Sequence, residues 1–162
     1  LLERLADNDY IRQGLNVILI GATGSGKSFI ANALGVNACQ SGYKTRYLRL
    51  PELFSELEAA RIQGKYHQVM KQLQKLPLVI LDEFLLIPAS DQEQRDLLEL
   101  MEYRCGQTST IFCSQFMPEG WHERLGGSAL ADSILDRIIP SAYTMRIDGD
   151  VSMRQRKRVI KS

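Results

Sequence analysis

Gly21, Gly26, Lys27 and Ser28 stand at the spacing G-x-x-x-x-G-K-S, after the apolar run Val17-Ile18-Leu19-Ile20 and before a helix-forming stretch over 29–40. A strand that turns through glycines into a helix aims backbone N–H groups and a helix N-terminus at one place, which suits a chain of phosphate oxygens. In this pattern Lys27 reaches the β- and γ-phosphates of a nucleotide and the Ser28 hydroxyl holds Mg²⁺. Gly21, Ala22, Thr23, Gly24, Ser25, Gly26 and Phe29 complete the expected nucleotide cradle. A ligand-free Gly/Ser turn has no need of Lys-Ser directly after its last glycine.

A second group follows in Leu78-Val79-Ile80-Leu81-Asp82-Glu83, an apolar strand ending in two carboxylates. Acids at the C-terminal end of a buried parallel strand suit metal-assisted phosphoryl chemistry: Asp82 to bind Mg²⁺, Glu83 to polarise the attacking water. The second acid favours hydrolysis over transfer to an acceptor. A further run, Thr108 to Cys113, reads as a strand that ends in Ser114-Gln115. That polar pair either reaches a γ-phosphate or the lytic water, or caps the next turn. Arg137, beside Asp136 at a helix end, is either a surface ion pair or an arginine that crosses an oligomer interface. The stretch 153–161 carries five basic residues in nine, a solvated terminus or a DNA contact. His67 and His122 lack any nucleophile pattern and read as structural.

The elements that must position these groups alternate strand and helix. Strands are expected over 16–20, 45–50, 78–82, 108–113 and 142–147. Helices are expected from Lys27 to about Ser41 and over 51–63, where Pro51 and Glu52 suit a first turn. Others run from Tyr66 toward Pro77, from the Ser90-x-x-Glu93 capping box to Gly106, over 120–125, and from Ser128 to Arg137. Residues 1–13 read as a short amphipathic turn or helix in which Tyr10 and Ile11 pack. With all candidate chemistry at strand C-terminal ends, the fold class is α/β, a phosphate-loop three-layer αβα sandwich on a parallel five-stranded sheet.

The 162 residues have 44% hydrophobic and 24% charged content, which suits one domain over 1–162 with a single well-buried core. Net charge is +1, so binding to nucleic acid has to come from local charge. Cys39, Cys105 and Cys113 are scattered and odd in number, which reads as free thiols in a reducing compartment. No apolar run approaches the roughly 18 residues of a membrane span, so a cytoplasmic location away from membranes is expected. The chain starts Leu1-Leu2-Glu3 without an initiator Met and is expected to be a fragment of a longer one.

The phosphate loop, Leu81-Asp82-Glu83, Ser114-Gln115, Trp121-His122-Glu123, the run from Leu130 to Arg137, Ala142-Tyr143 and Ser152-Met153-Arg154 together resemble the IstB-like transposition helper ATPases. Those are relatives of the DnaC-type helicase loaders in the AAA+ class. The resemblance implies a sheet ordered 5-1-4-3-2 and a helper of DNA transposition with ATP and Mg²⁺ as cofactors; in departure from many AAA+ proteins, little or no C-terminal lid is expected. Its implied partners are double-stranded DNA, a transposase, and further copies of the chain when ATP- and DNA-bound. It also implies Lys27, Ser28, Asp82 and Glu83 in the roles above, Ser114 and Gln115 as a first sensor, Arg137 as a finger acting in trans, and Arg154 as a second sensor. A helicase loader shares this core and a small-molecule kinase shares the loop; a nucleotide-binding scaffold with little turnover is a third alternative.

Overall fold

The computed structural model describes residues 2–147; Arg154 and the basic stretch 153–161 lie outside them. The five strands are β1 (Asn16–Ile20), β2 (Thr45–Arg49), β3 (Leu78–Asp82), β4 (Ser109–Ser114) and β5 (Ala142–Arg146). All pair in parallel in the order β2-β3-β4-β1-β5, the expected order read from the other edge. The helices are α1 (Leu2–Ala6), α2 (Asp9–Arg12), α3 (Lys27–Gln40), α4 (Leu50–Ile62), α5 (Tyr66–Lys75), α6 (Asp91–Arg104), α7 (Trp121–Arg124) and α8 (Ala129–Ile138).

The continuous apolar strands have a simple cause. Successive side chains alternate faces, and both faces are covered. Val17, Leu19, Ile80 and Ile111 pack with α1, α2 and α3, whereas Ile18, Val79, Leu81 and Phe112 pack with α4 to α8. No helix among the described residues is long and apolar enough to cross a membrane.

Two boundaries that differ from the expectation by about one residue do so for a local reason. Leu50 opens α4 instead of closing β2, because Pro51 fits the first helical turn and the Glu52 carboxylate accepts the Arg49 N–H at 3.1 Å. Thr108 leaves β4 because its N–H bonds the carbonyl of Arg104 and closes α6. Residues 2–12 form two short helices, with Tyr10 and Ile11 buried as expected.

One buried cation belongs to the scaffold. Arg104 is 1% exposed and donates to the carbonyls of Leu73 (2.9 Å), Leu76 (2.7 Å) and Ser109 and to Thr110 Oγ1 (2.9 Å). It joins the end of α5 to the start of β4, and burial pushes its guanidinium down to about 9. Replacing Arg104 by Met strands those buried carbonyls, so the unfolding free energy should fall by about 3 kcal/mol. A urea midpoint within error of the parent's would contradict this.

Candidate functional site

The C-terminal edge of the sheet gathers the polar side chains. The loop after β1 is shaped by Gly24 and Gly26, with φ of 81° and 101°, a region closed to most residues. Gly21 is needed for a different reason, since a Cβ there would lie 2.5 Å from Ser25 Oγ. The turn feeds into α3, whose first residue is Lys27. Lys27 is 8% exposed, and its ammonium donates to the carbonyls of Gly21 (2.6 Å) and Ala22 (3.0 Å). Burial lowers its pKa from the ordinary lysine value, with the Asp82 carboxylate acting in the opposite sense.

Asp82 ends β3 and is buried. Its Oδ2 accepts the Ser28 hydroxyl at 2.6 Å and the Tyr47 phenol, and its Oδ1 accepts the Glu83 N–H at 2.8 Å. Burial, with the hydrogen bond to Asp82 second, raises the Tyr47 pKa, so the phenol stays a donor. Glu83 sits at φ 53°, in the left-handed region that costs a residue with a side chain about 1–3 kcal/mol. Its carboxylate faces Arg49 Nη1 at 3.4 Å, and Arg49 also bonds Glu52. Gln115 donates to Thr23 Oγ1 and so ties the tip of β4 to the loop. Lys27, Ser28, Tyr47, Asp82, Glu83 and Gln115 line one cavity of about 400 Å³.

The residues fit the expected cofactors. Ser28 and Asp82 offer hard oxygen donors side by side, the set that suits Mg²⁺. The loop offers a helix N-terminus, a buried lysine and the Ser25 hydroxyl, which is buried without a partner among the described residues. Such an arrangement would suit a triphosphate, with the Glu83 carboxylate lining the same cavity.

Three expected members among the described residues do not join this cluster. Ser114 is buried; its hydroxyl donates to the carbonyl of Phe84 (3.0 Å) and accepts the Phe116 N–H (3.1 Å), so the polar pair splits and Gln115 alone faces the loop. Phe29, in the first turn of α3, is partly buried against the core. Arg137 lies elsewhere again. α8 runs back along the sheet to end beside Asn16 at the start of β1, and Arg137 there bonds the Ser133 carbonyl at 2.9 Å. It therefore sits at the edge of the sheet opposite its own loop. Tyr47 and Arg49 went unread in the sequence, although their i, i+2 spacing at the end of β2 puts both on one face.

The model of the IstB-like ATP binding proteins matches residues 1–161. An insertion-sequence ATP-binding protein of Sinorhizobium fredii is 38% identical over 98% of this chain and 64% of its own length. The IS1162 ATP-binding protein of Pseudomonas fluorescens is 42% identical over 71% of this chain and 50% of its own. The chain thus spans no more than about two thirds of these relatives. Among solved structures, the DnaC helicase loader superposes with a TM-score of 0.77 at 19% identity, covering 91% of this chain and 86% of that one; the likeness is one of fold.

Removing the Ser28 hydroxyl takes away one oxygen of the candidate metal pair. In Ser28→Ala, affinity for a fluorescent ATP analogue should fall about tenfold with Mg²⁺ and change little in EDTA. Equal losses under both conditions would contradict the assignment.

Proposed function

The chain belongs to the IstB-like ATP-binding family, and from that premise and the cleft geometry we propose that it is an Mg²⁺-dependent ATPase that helps DNA transposition. In this reading it assembles on double-stranded DNA and regulates a partner transposase. The observation that carries the hydrolytic part is the pairing of buried Asp82 with the neighbouring Glu83 opposite Lys27 and Ser28 in one cleft.

When bound, ATP and Mg²⁺ supply the phosphoryl group and a positive charge that offsets the charge developing on it. The chain's own residues do the rest. Lys27 and the loop amides hold and orient phosphate oxygens, and Ser28 and Asp82 hold the metal. Glu83 accepts a proton from water once its carboxylate is free of Arg49. Gln115 orients that water from the other side.

Assembly is supported by the position of Arg137. An arginine at the far edge of the sheet cannot complete the cleft of its own chain, but it can reach the cleft of a neighbour in an oligomer. Arg154 stays in this proposal as a second phosphate-sensing arginine. DNA contact is supported by the 153–161 stretch and by a surface unread in the sequence. Lys65, His67, Lys71 and Lys75 are exposed on and before α5, and residues 65–75 contain no acid. A local basic face suffices to bind phosphate backbones despite the net charge of +1.

Two tests separate these parts. Glu83→Gln should lower turnover about a hundredfold with nucleotide affinity retained, and Arg137→Ala about a thousandfold in the DNA-stimulated state. Hydrolysis indifferent to DNA and to Arg137 would contradict the shared site. In the double variant Lys71→Gln, Lys75→Gln, the slope of log affinity against log salt for duplex DNA should flatten by about 1 to 2. An unchanged slope would remove α5 from the DNA surface.

A further inference from the structure

Arg124 closes α7, the four-residue helix that begins at Trp121. Its Nε donates to the carbonyl of Leu85 (2.5 Å) and its Nη2 to the carbonyl of Leu86 (2.6 Å). Its own carbonyl accepts the Ala89 N–H at 3.0 Å. The segment after β3 is thus gripped twice by one residue. That segment is strained, since Glu83 and Leu85 both hold positive φ, 53° and 59°. Phe84 between them is fully buried, 4.8 Å from the rings of both Phe112 and Trp121, with its N–H on the Cys113 carbonyl. Phe84 anchors the turn from inside, and Arg124 holds the carbonyls that follow.

The same guanidinium reaches the other wall of the cleft. Its carbon lies 4.0 Å from the centroid of the Phe116 ring, the residue directly after Gln115. The Phe116 carbonyl accepts Trp121 Nε1 at 2.9 Å. Arg124 is therefore bound to the segments that follow Glu83 and Gln115, while it is absent from the lining of the cleft itself.

We propose that Arg124 is a positioning residue that holds the left-handed turn aiming Glu83 and locks it to the strand tip bearing Gln115. The two groups that face the attacking water then keep one mutual geometry. The task favours an arginine: a planar, rigid fork donates to two successive carbonyls while stacking on a ring, whereas a lysine ammonium is a compact point charge with no plane to stack and no fixed fork. This role rests on the reading of Glu83 as the water-activating group.

The test compares ATP turnover and fluorescent-nucleotide affinity in the unmodified chain, Glu83→Gln, Arg124→Lys, Arg124→Ala and the double variant Glu83→Gln, Arg124→Ala. Arg124→Lys should lose roughly tenfold and Arg124→Ala roughly a hundredfold in kcat, with KM and nucleotide affinity within about twofold. In the Glu83→Gln background the Arg124 change should cost nothing more, because the carboxylate it aims is already gone. Should Arg124→Ala not fold, Arg124→Lys carries the comparison. Full kcat in Arg124→Lys, or affinity falling in step with kcat, overturns the positioning role while Glu83→Gln still shows hydrolysis to depend on Glu83. Equal turnover in the unmodified chain and Glu83→Gln instead overturns the hydrolytic reading beneath it.

Discussion

A buried carboxylate with no ion-pair partner among the described residues is the constraint around which the site is arranged. Asp82 is 5% exposed, and its hydrogen bonds come from a serine hydroxyl, a phenol and a backbone amide, all neutral. Burying a charge is expensive unless it is paired, so such a site has a standing preference for a cation. The lysine nearest in role, Lys27, spends its hydrogen bonds on the loop carbonyls instead. Three elements supply this one carboxylate and its hydroxyl donors: α3 brings Ser28, β2 brings Tyr47 and β3 brings Asp82. The parallel register makes that meeting possible, because it pairs Arg49 at the end of β2 with Asp82 at the end of β3.

Around that centre the cleft is built from backbone positions that resist relaxation. Gly24 and Gly26 take conformations closed to most side chains, and Glu83 and Leu85 take similar ones at an energetic cost. The cost is tolerated because Phe84 is wedged between Phe112 and Trp121, with the Ser114 hydroxyl on its carbonyl. Ser114 thus serves the cleft from below, by fixing a turn.

Much of this was legible in the residues. The phosphate loop and the Leu-Asp-Glu strand end carry spacing that few other structures require, and the apolar runs declared a sheet covered on both faces. What stayed hidden was three-dimensional. Ser114 and Gln115 look equivalent in the chain, yet alternation along a strand sends them opposite ways. Tyr47 and Arg49 lie in an ordinary alternating strand and gain meaning only because β2 neighbours β3. Arg104 and Arg124 look like surface charges until their carbonyl partners, distant in sequence, come into view. The family resemblance supplied the sheet order that composition and periodicity left open.

The distance between Glu83 and Arg137, at opposite edges of one sheet, is what makes a single copy insufficient in the proposed cycle. The most direct measurement mixes two variants, Glu83→Gln and Arg137→Ala, each expected to be strongly impaired alone, and follows ATP hydrolysis on duplex DNA. If the site is shared, junctions that pair an intact Glu83 with a neighbour's intact Arg137 form, and activity returns on mixing. A mixture no more active than its components would contradict the shared site, and with it the oligomeric cycle built upon it.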